Sequence, residues 1–278
     1  MDYDKIYNSL QSQGYYQGTF DDFWADNTLD VTKEEFEKAV SYIRSTEQYL
    51  ETHADYRHNY IEQFQQYYLK DPNYKGPKPT QEELEHLIPY SRRHIRQKFI
   101  EDAIAAGANI RTTQQWAQIG FPDGKEMQTV FHNLTKHITS YVYKDELLPY
   151  KDKLVFNGHY TIYKKGDFAE LHQDGCRATR HCVIIYYFAK PETWNNSGGR
   201  FIFEVESSRS NEMMNNPQTV ERLLDENDPY LKTVIPVYGT YVMLDLKKFN
   251  LAHGVEVVKD DFVRYAYNVF VGLPEGLV

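Results

Sequence analysis

Two periodicities divide the chain. From Thr32 to about Lys70 the apolar residues Phe36, Val40, Ile43, Tyr49 and Leu50 recur at helical intervals among charged residues, the spacing that puts one apolar stripe on a helix. Thr32 followed by Glu35 has the form of an N-terminal capping box. Pro72, Gly76, Pro77 and Pro79 mark a loop, and Thr80 with Glu83 offers a second helix start. Arg92 to about Ala106 and Glu126 to Tyr143 read as further helices, with a strand near Ile110. After Lys151 the period shortens. His159–Tyr163, Val183–Phe188, Arg200–Val205, Thr240–Leu244 and Val263–Val271 are short, rich in β-branched and aromatic residues, and separated by turns such as Asn195-Asn196-Ser197-Gly198-Gly199. Short strands without helices between them predict an antiparallel sandwich or jelly roll. Residues 207–231, polar and helix-like around Thr219–Leu224, read as an insertion between two strands. The expected fold class is α+β: a jelly-roll core over 151–278, with a mainly helical region, 1–150, packed on it.

Composition narrows the classes of partner. A chain of 278 residues buries a core without needing a disulfide or metal to hold it together. A net charge of −9 argues against nucleic acid as partner and leans towards neutral or cationic substrates. Cys176 and Cys182 form no disulfide framework. The N-terminus lacks a basic and then apolar leader, and no apolar run reaches the ~20 residues of a membrane helix. The expectation is a soluble cytoplasmic protein without a membrane partner. Tyrosine is abundant (24 residues) but follows no repeat that would give it a function.

Two His-x-Asp triplets occur, and backbone geometry separates them. His53-Ala54-Asp55 lies in the charged helical stretch, where residues two apart point to different sides of the helix and cannot share an ion. His172-Gln173-Asp174 follows a strand-like run and a turn at Lys165-Gly166-Asp167. In extended backbone its imidazole and carboxylate project to one side, and Gly175 suits a bend just beyond. His253, in apolar surroundings and followed by Gly254, is the candidate third ligand. Two histidines and a carboxylate suit a facially coordinated Fe(II) with open positions. The same set can hold catalytic zinc, or the residues can be hydrogen-bonded histidines with no ion.

Eleven residues past His253, Arg264 opens the run Arg264-Tyr265-Ala266-Tyr267-Asn268-Val269-Phe270-Val271. Burying a guanidinium in such a run is costly unless an anion pairs with it, and its fork matches a carboxylate. Beside a facial iron that anion would be the distal carboxylate of 2-oxoglutarate. A zinc hydrolase gives Arg264 no role, whereas a non-catalytic jelly-roll protein that binds metal or ligand stays open.

In Tyr163-x-x-Gly166, His172-Gln173-Asp174, Val183–Phe188, Gly198-Gly199-Arg200-Phe201, Pro236-Val237-Tyr238-Gly239, His253-Gly254-Val255 and Arg264, over about residues 155–272, the chain resembles the Fe(II)/2-oxoglutarate-dependent dioxygenases, most of all their prolyl-hydroxylase-like branch. The first 150 residues match nothing comparable. The resemblance implies a double-stranded β-helix core, with Fe(II) held by His172, Asp174 and His253. It implies 2-oxoglutarate bound by Arg264 and by Tyr163, which matches the family's cosubstrate tyrosine in position. Dioxygen would be the oxidant and ascorbate a reductant. The implied reaction converts 2-oxoglutarate to succinate and hydroxylates an unactivated C–H bond. Asp174 favours hydroxylation, because related halogenases carry Gly or Ala there.

Candidate substrate residues are Asn157 and His159, which alternate with Thr161 and Tyr163 along one strand face, together with Arg177, Arg180, Trp194 and Asn268. Where the family commonly has Thr or Glu after its Gly-Gly pair, this chain has Arg200, expected to point outward or towards substrate. The long 207–231 loop departs from a minimal core and counts against a peptidyl-proline substrate. The expected substrate is a free amino acid or similar small metabolite, with a prolyl or other peptidyl substrate as the alternative.

Overall fold

In the first helix, α1 (Tyr3–Gln13), Asp2 accepts a hydrogen bond from the Lys5 N–H at 2.9 Å, and Gly14 closes the other end in the left-handed region at φ 82°. Ile6 and Leu10, four apart, are buried. The computed structural model describes residues 1–45, 114–115, 117–119, 125–163, 165, 168–174, 180–205, 229–249, 251–256, 258–274 and 276–277. Of 45, 114–115, 117–119, 125–127, 159–160, 168 and 170–172 only the backbone is described. The helices expected between Ser45 and Ala106, the strand near Ile110 and all but the end of the 207–231 insertion lie outside the described residues. The chain divides into two compact units, 1–45 with 116–278, and 46–115. The first unit contains His172, Asp174, His253 and Arg264.

After α1 come β1 (Tyr15–Thr19), α2 (Asp21–Trp24) and α3 (Lys33–Ser45). The capping box opens α3 as expected: the Glu35 N–H donates to Thr32 Oγ1 at 3.2 Å, and the Thr32 N–H donates to Glu35 Oε2 at 2.8 Å. Phe36, Val40 and Ile43 form its buried stripe. Next in the first unit are β2 (Ala117–Ile119) and the helix α4 (Lys125–Val142), one residue from its expected start and end. The buried Phe131, Leu134, Ile138 and Val142 recur at helical spacing along it.

The remaining strands are β3 (Val155–Tyr163), β4 (Phe168–His172), β5 (Arg180–Tyr187), β6 (Phe201–Glu204), β7 (Leu231–Val234), β8 (Thr240–Asp245), β9 (His253–Val255) and β10 (Arg264–Gly272). The first sheet has the order β1-β8-β5-β10-β3-β2, and the second, within the same unit, β4-β9-β6-β7. All the pairings given for these strands are antiparallel. From β3 to β10 the chain passes between the sheets in the sequence first, second, first, second, second, first, second, first. That winding is a double-stranded β-helix, the expected jelly roll.

Strand alternation assigns the two faces of the first sheet. Tyr186, Tyr241 and Tyr267 face the helices: Phe131 lies 4.8 Å from Tyr267 and 5.7 Å from Tyr186 between ring centres, and Phe23 lies 4.8 Å from Tyr241. Part of the tyrosine excess thus fills the helix–sheet layer. Arg264, Tyr187 and Tyr163 take the opposite, inner face, and Tyr15 of this sheet meets Phe203 of the second at 4.7 Å.

Candidate active site

Arg264 begins β10 directly opposite Tyr163, the last residue of β3. Its guanidinium carbon lies 4.7 Å from the centre of the Tyr163 ring and 5.2 Å from that of Tyr187, within cation–π range of both. The residue is only 2% exposed, Nε has no hydrogen-bond partner, and no carboxylate among the described residues pairs with it. The Tyr187 hydroxyl is likewise buried without a partner. Burial raises the pKa of that phenol, and the Arg264 charge and the approach of its guanidinium N–H to the phenol oxygen work against the rise. The phenol oxygen can accept from the guanidinium beside it, which still leaves the hydroxyl proton and the positive charge without an anionic acceptor. A carboxylate meets both needs.

His172 and His253 are paired residues of β4 and β9; the His172 side chain lies outside the described residues. His253 is buried, its Nδ1–H donates to the Leu251 carbonyl at 3.0 Å, and its Nε2 stands 3.3 Å from Asp174 Oδ2. The Leu251 bond fixes the tautomer and leaves the Nε2 lone pair facing the carboxylate. Burial pulls the His253 pKa down, but the Asp174 carboxylate and the Leu251 carbonyl outweigh it and hold the ring above its ordinary value. Two ligands at right angles about 2.1 Å from one ion stand ~3.0 Å apart, close to the spacing found. The described donors therefore fit a metal. Among the described residues no group of three His, Cys, Asp or Glu is assembled, since the His172 imidazole is not among them.

One short loop joins the two clusters. Gly199 has φ +69°, and a Cβ there would stand 3.7 Å from Arg264 Cδ and 3.1 Å from Val258 Cγ2. Two residues on, the ring of Phe201 packs 5.5 Å from that of His253. Residues two apart on a strand span ~7 Å, so the guanidinium stem and the imidazole lie in one neighbourhood.

The other sequence candidates spread more widely. Asn157 is exposed, six residues or ~20 Å along β3 from Tyr163. Arg180, at the far end of β5 from Tyr187, lays its guanidinium over Phe270 at 4.3 Å. Asn268 sits half-buried four residues along β10 from Arg264, its backbone paired with His159. The His159 side chain, Arg177 and Cys176 lie outside the described residues. Trp194 donates from Nε1 to the Gly198 carbonyl at 3.1 Å and so closes its own turn. Cys182 is a buried free thiol. Arg200 was expected to point outward or towards substrate. Instead its Nε and Nη2 donate to Glu256 Oε2 and Oε1 at 2.8 and 3.0 Å, because strand pairing puts a carboxylate opposite it. Tyr187 was the residue sequence reasoning passed over. The signal lay in the alternation of Val183, Ile185 and Tyr187, which puts it on the inner face.

No protein-family model matches the sequence, and no curated protein matches it. Among the described residues no helix is long and apolar enough to cross a membrane. The structure is similar to that of a prolyl-4-hydroxylase from Pseudomonas putida, with TM-score 0.52 and 12% identity over 98% of this chain and 99% of that one. Also similar are a Trichoplax adhaerens prolyl hydroxylase in complex with a hypoxia inducible factor peptide fragment (TM-score 0.47, 10% identity, 97% and 88% covered) and EvdO2 from Micromonospora carbonacea (0.47, 15%, 97% and 91%). The likeness to the Pseudomonas putida enzyme shows a shared fold, the double-stranded β-helix.

Proposed function

We propose that this protein is an Fe(II)- and 2-oxoglutarate-dependent hydroxylase. The observation that carries the reading is Arg264, a buried guanidinium with no carboxylate partner among the described residues, next to the orphan hydroxyl of Tyr187 and in the neighbourhood of the His253–Asp174 pair. A site made only for a metal has no use for that cation. His172, Asp174 and His253 would hold the iron, and Arg264 with Tyr163 and Tyr187 the distal carboxylate of 2-oxoglutarate. Bound there, the iron and cosubstrate would activate dioxygen, the oxidant: one oxygen atom would go to the substrate C–H bond and the other to succinate as 2-oxoglutarate loses CO2.

The protein's own part is orientation. Arg264 would pair with the carboxylate as a forked donor, its guanidinium held within reach of the Tyr163 and Tyr187 rings. His253, tied back to Leu251, presents Nε2 in a single tautomer. The apolar inner face keeps water from the cation and strengthens its hold on the anion.

For substrate, we infer a free amino acid or similar small metabolite. The order of motifs, like that of prolyl-hydroxylase-like enzymes, favours a peptidyl proline as the second reading. The experiment is succinate formation from 2-oxoglutarate with Fe(II), with free amino acids and proline-containing peptides screened in parallel. Turnover that needs iron and disappears in His172→Ala and His253→Ala supports the enzyme. No 2-oxoglutarate binding and no turnover with either class sinks it in favour of a binding protein.

A further inference from the structure

We propose that Arg200 and Glu256 are positioning residues: their part-buried ion pair locks the register of β9 against β6 and thereby the direction in which His253 presents Nε2. The inference rests on the reading of His253 as a metal ligand.

β9 itself is three residues long, and backbone bonds carry its register against β6 further on either side: the Glu204 N–H donates to the Ala252 carbonyl at 2.8 Å and the Lys259 N–H to the Ser197 carbonyl at 2.7 Å. On its β4 side the pairing is irregular: His253 faces His172 but Val255 faces Ala169, which leaves one extra residue on β4. On the β6 side the ladder is regular, with His253, Gly254 and Val255 opposite Phe203, Ile202 and Phe201. The next pair in that ladder is Glu256 and Arg200. The Glu256 N–H donates to the Arg200 carbonyl at 2.9 Å, and the side chains close two further bonds at 2.8 and 3.0 Å.

Stability alone does not account for this pair. Glu256 is 6% exposed and Arg200 16%. Taking two such charges out of water costs about as much as their attraction returns, and an apolar pair of similar volume often serves the fold as well or better. What the ion pair adds is discrimination. A one-residue slip of β9 would set Arg200 against an apolar neighbour, Val255 or Val257, and break the two bonds that join the guanidinium to the Glu256 carboxylate. The same slip would turn His253 to the other face of the sheet, because side chains alternate with a period of two. Lys259 reaches Glu256 Oε1 at 3.3 Å from the solvent side, with its own side chain 58% exposed. It can therefore swing away without disturbing the pair.

The test uses the full chain and Co(II) as a spectroscopic stand-in for Fe(II), reading the dissociation constant, the visible absorption of the bound ion and the metal-free melting temperature. The variants are the apolar pair Arg200→Met/Glu256→Leu, the exchanged pair Arg200→Glu/Glu256→Arg, and Glu256→Gln. The apolar pair should melt close to the wild type yet bind Co(II) at least about tenfold more weakly, the order seen when outer-shell supports of metal ligands are removed, with an altered spectrum. The exchanged pair should recover most of the affinity. If the apolar pair fails to fold, Glu256→Gln, which keeps the shape of the side chain, should show the same weakening. Wild-type Co(II) affinity and spectrum in the apolar pair, or in Glu256→Gln where that stands in for it, would overturn the proposal. So would a weakening that tracks the melting temperature and that the exchanged pair does not recover. Wild-type protein that takes up no Co(II), or takes it up equally in His253→Ala, overturns the metal reading and this inference with it. His253-dependent binding that ignores residues 200 and 256 overturns this inference alone.

Discussion

Arg264 and Tyr163 stand opposite each other on adjacent strands, with the guanidinium carbon 4.7 Å from the centre of the phenol ring. Tyr187, on the strand that flanks β10 on its other side, brings a second ring to 5.2 Å. Aromatic faces stabilise the cation only in part, so the ligand-free site holds an unmet demand for a carboxylate.

Replacing Arg264 by Leu therefore separates binding from stability. Loss of charge-assisted hydrogen bonds worth ~1.5–3 kcal/mol should raise the 2-oxoglutarate dissociation constant by roughly 10- to 150-fold. The ligand-free protein should become no less stable, because an unpaired buried charge is removed. Cosubstrate titration and denaturant unfolding of the same variant check both signs, and Co(II) affinity should stay at the wild-type value.

Tyr187→Phe should behave alike on a smaller scale. The buried hydroxyl proton has no acceptor, although the oxygen lies beside the Arg264 guanidinium, so deleting the hydroxyl should change the stability of the ligand-free protein by less than about 1 kcal/mol while weakening 2-oxoglutarate several-fold. A phenol that serves only as packing would leave the cosubstrate titration unchanged.

Gly199→Ala forces a side chain into φ +69° with a methyl 3.1 Å from Val258 Cγ2. A cost of about 1–2 kcal/mol is expected from the backbone conformation alone. Because the new methyl also lies 3.7 Å from Arg264 Cδ, 2-oxoglutarate affinity should fall with stability, measured by unfolding and by cosubstrate titration.

Acid stability should depend on Asp26. Burial alone would raise its pKa, but the Thr28 hydroxyl and N–H, the Tyr3 hydroxyl and the nearby His137 outweigh burial and lower it from 3.8 to about 2. A depressed folded-state pKa stabilises the protein above the unfolded value, and that stability is lost as pH falls through the folded one. Asp26→Asn should cost about 2 kcal/mol at pH 6. The difference from wild type should shrink between pH 4 and pH 2, as read from denaturant unfolding at each pH.

Much of the fold was legible in the chain. The Thr32–Glu35 box, the α4 stripe and the strands around Val183, Thr240 and Arg264 carry strong local patterns, and each forms where it was expected. Five strands escaped notice: β1, β2, β4, β7 and β9. β1 reads Tyr-Tyr-Gln-Gly-Thr, which has no alternation of its own and is held by its ladder to β8. β9 has three residues, too few to show any period, and exists because β4 and β6 flank it. β3 begins four residues earlier than expected, since pairing with β10 carries Val155–Gly158 despite the poor pattern there.

By itself the sequence determined which chemistry was available: a His-x-Asp triplet in extended backbone, a distant histidine in apolar surroundings, and an arginine opening a strand that would bury it. Those inferences need only local geometry and the cost of an unpaired charge. Tertiary structure decided which of the candidate groups meet. It brought Asp174 to His253 and Tyr187 to Arg264, set Asn157 and Arg180 far along their strands, and turned Arg200 to Glu256. These are contacts between residues as many as 79 positions apart, and a linear pattern holds no record of the strand pairing that creates them.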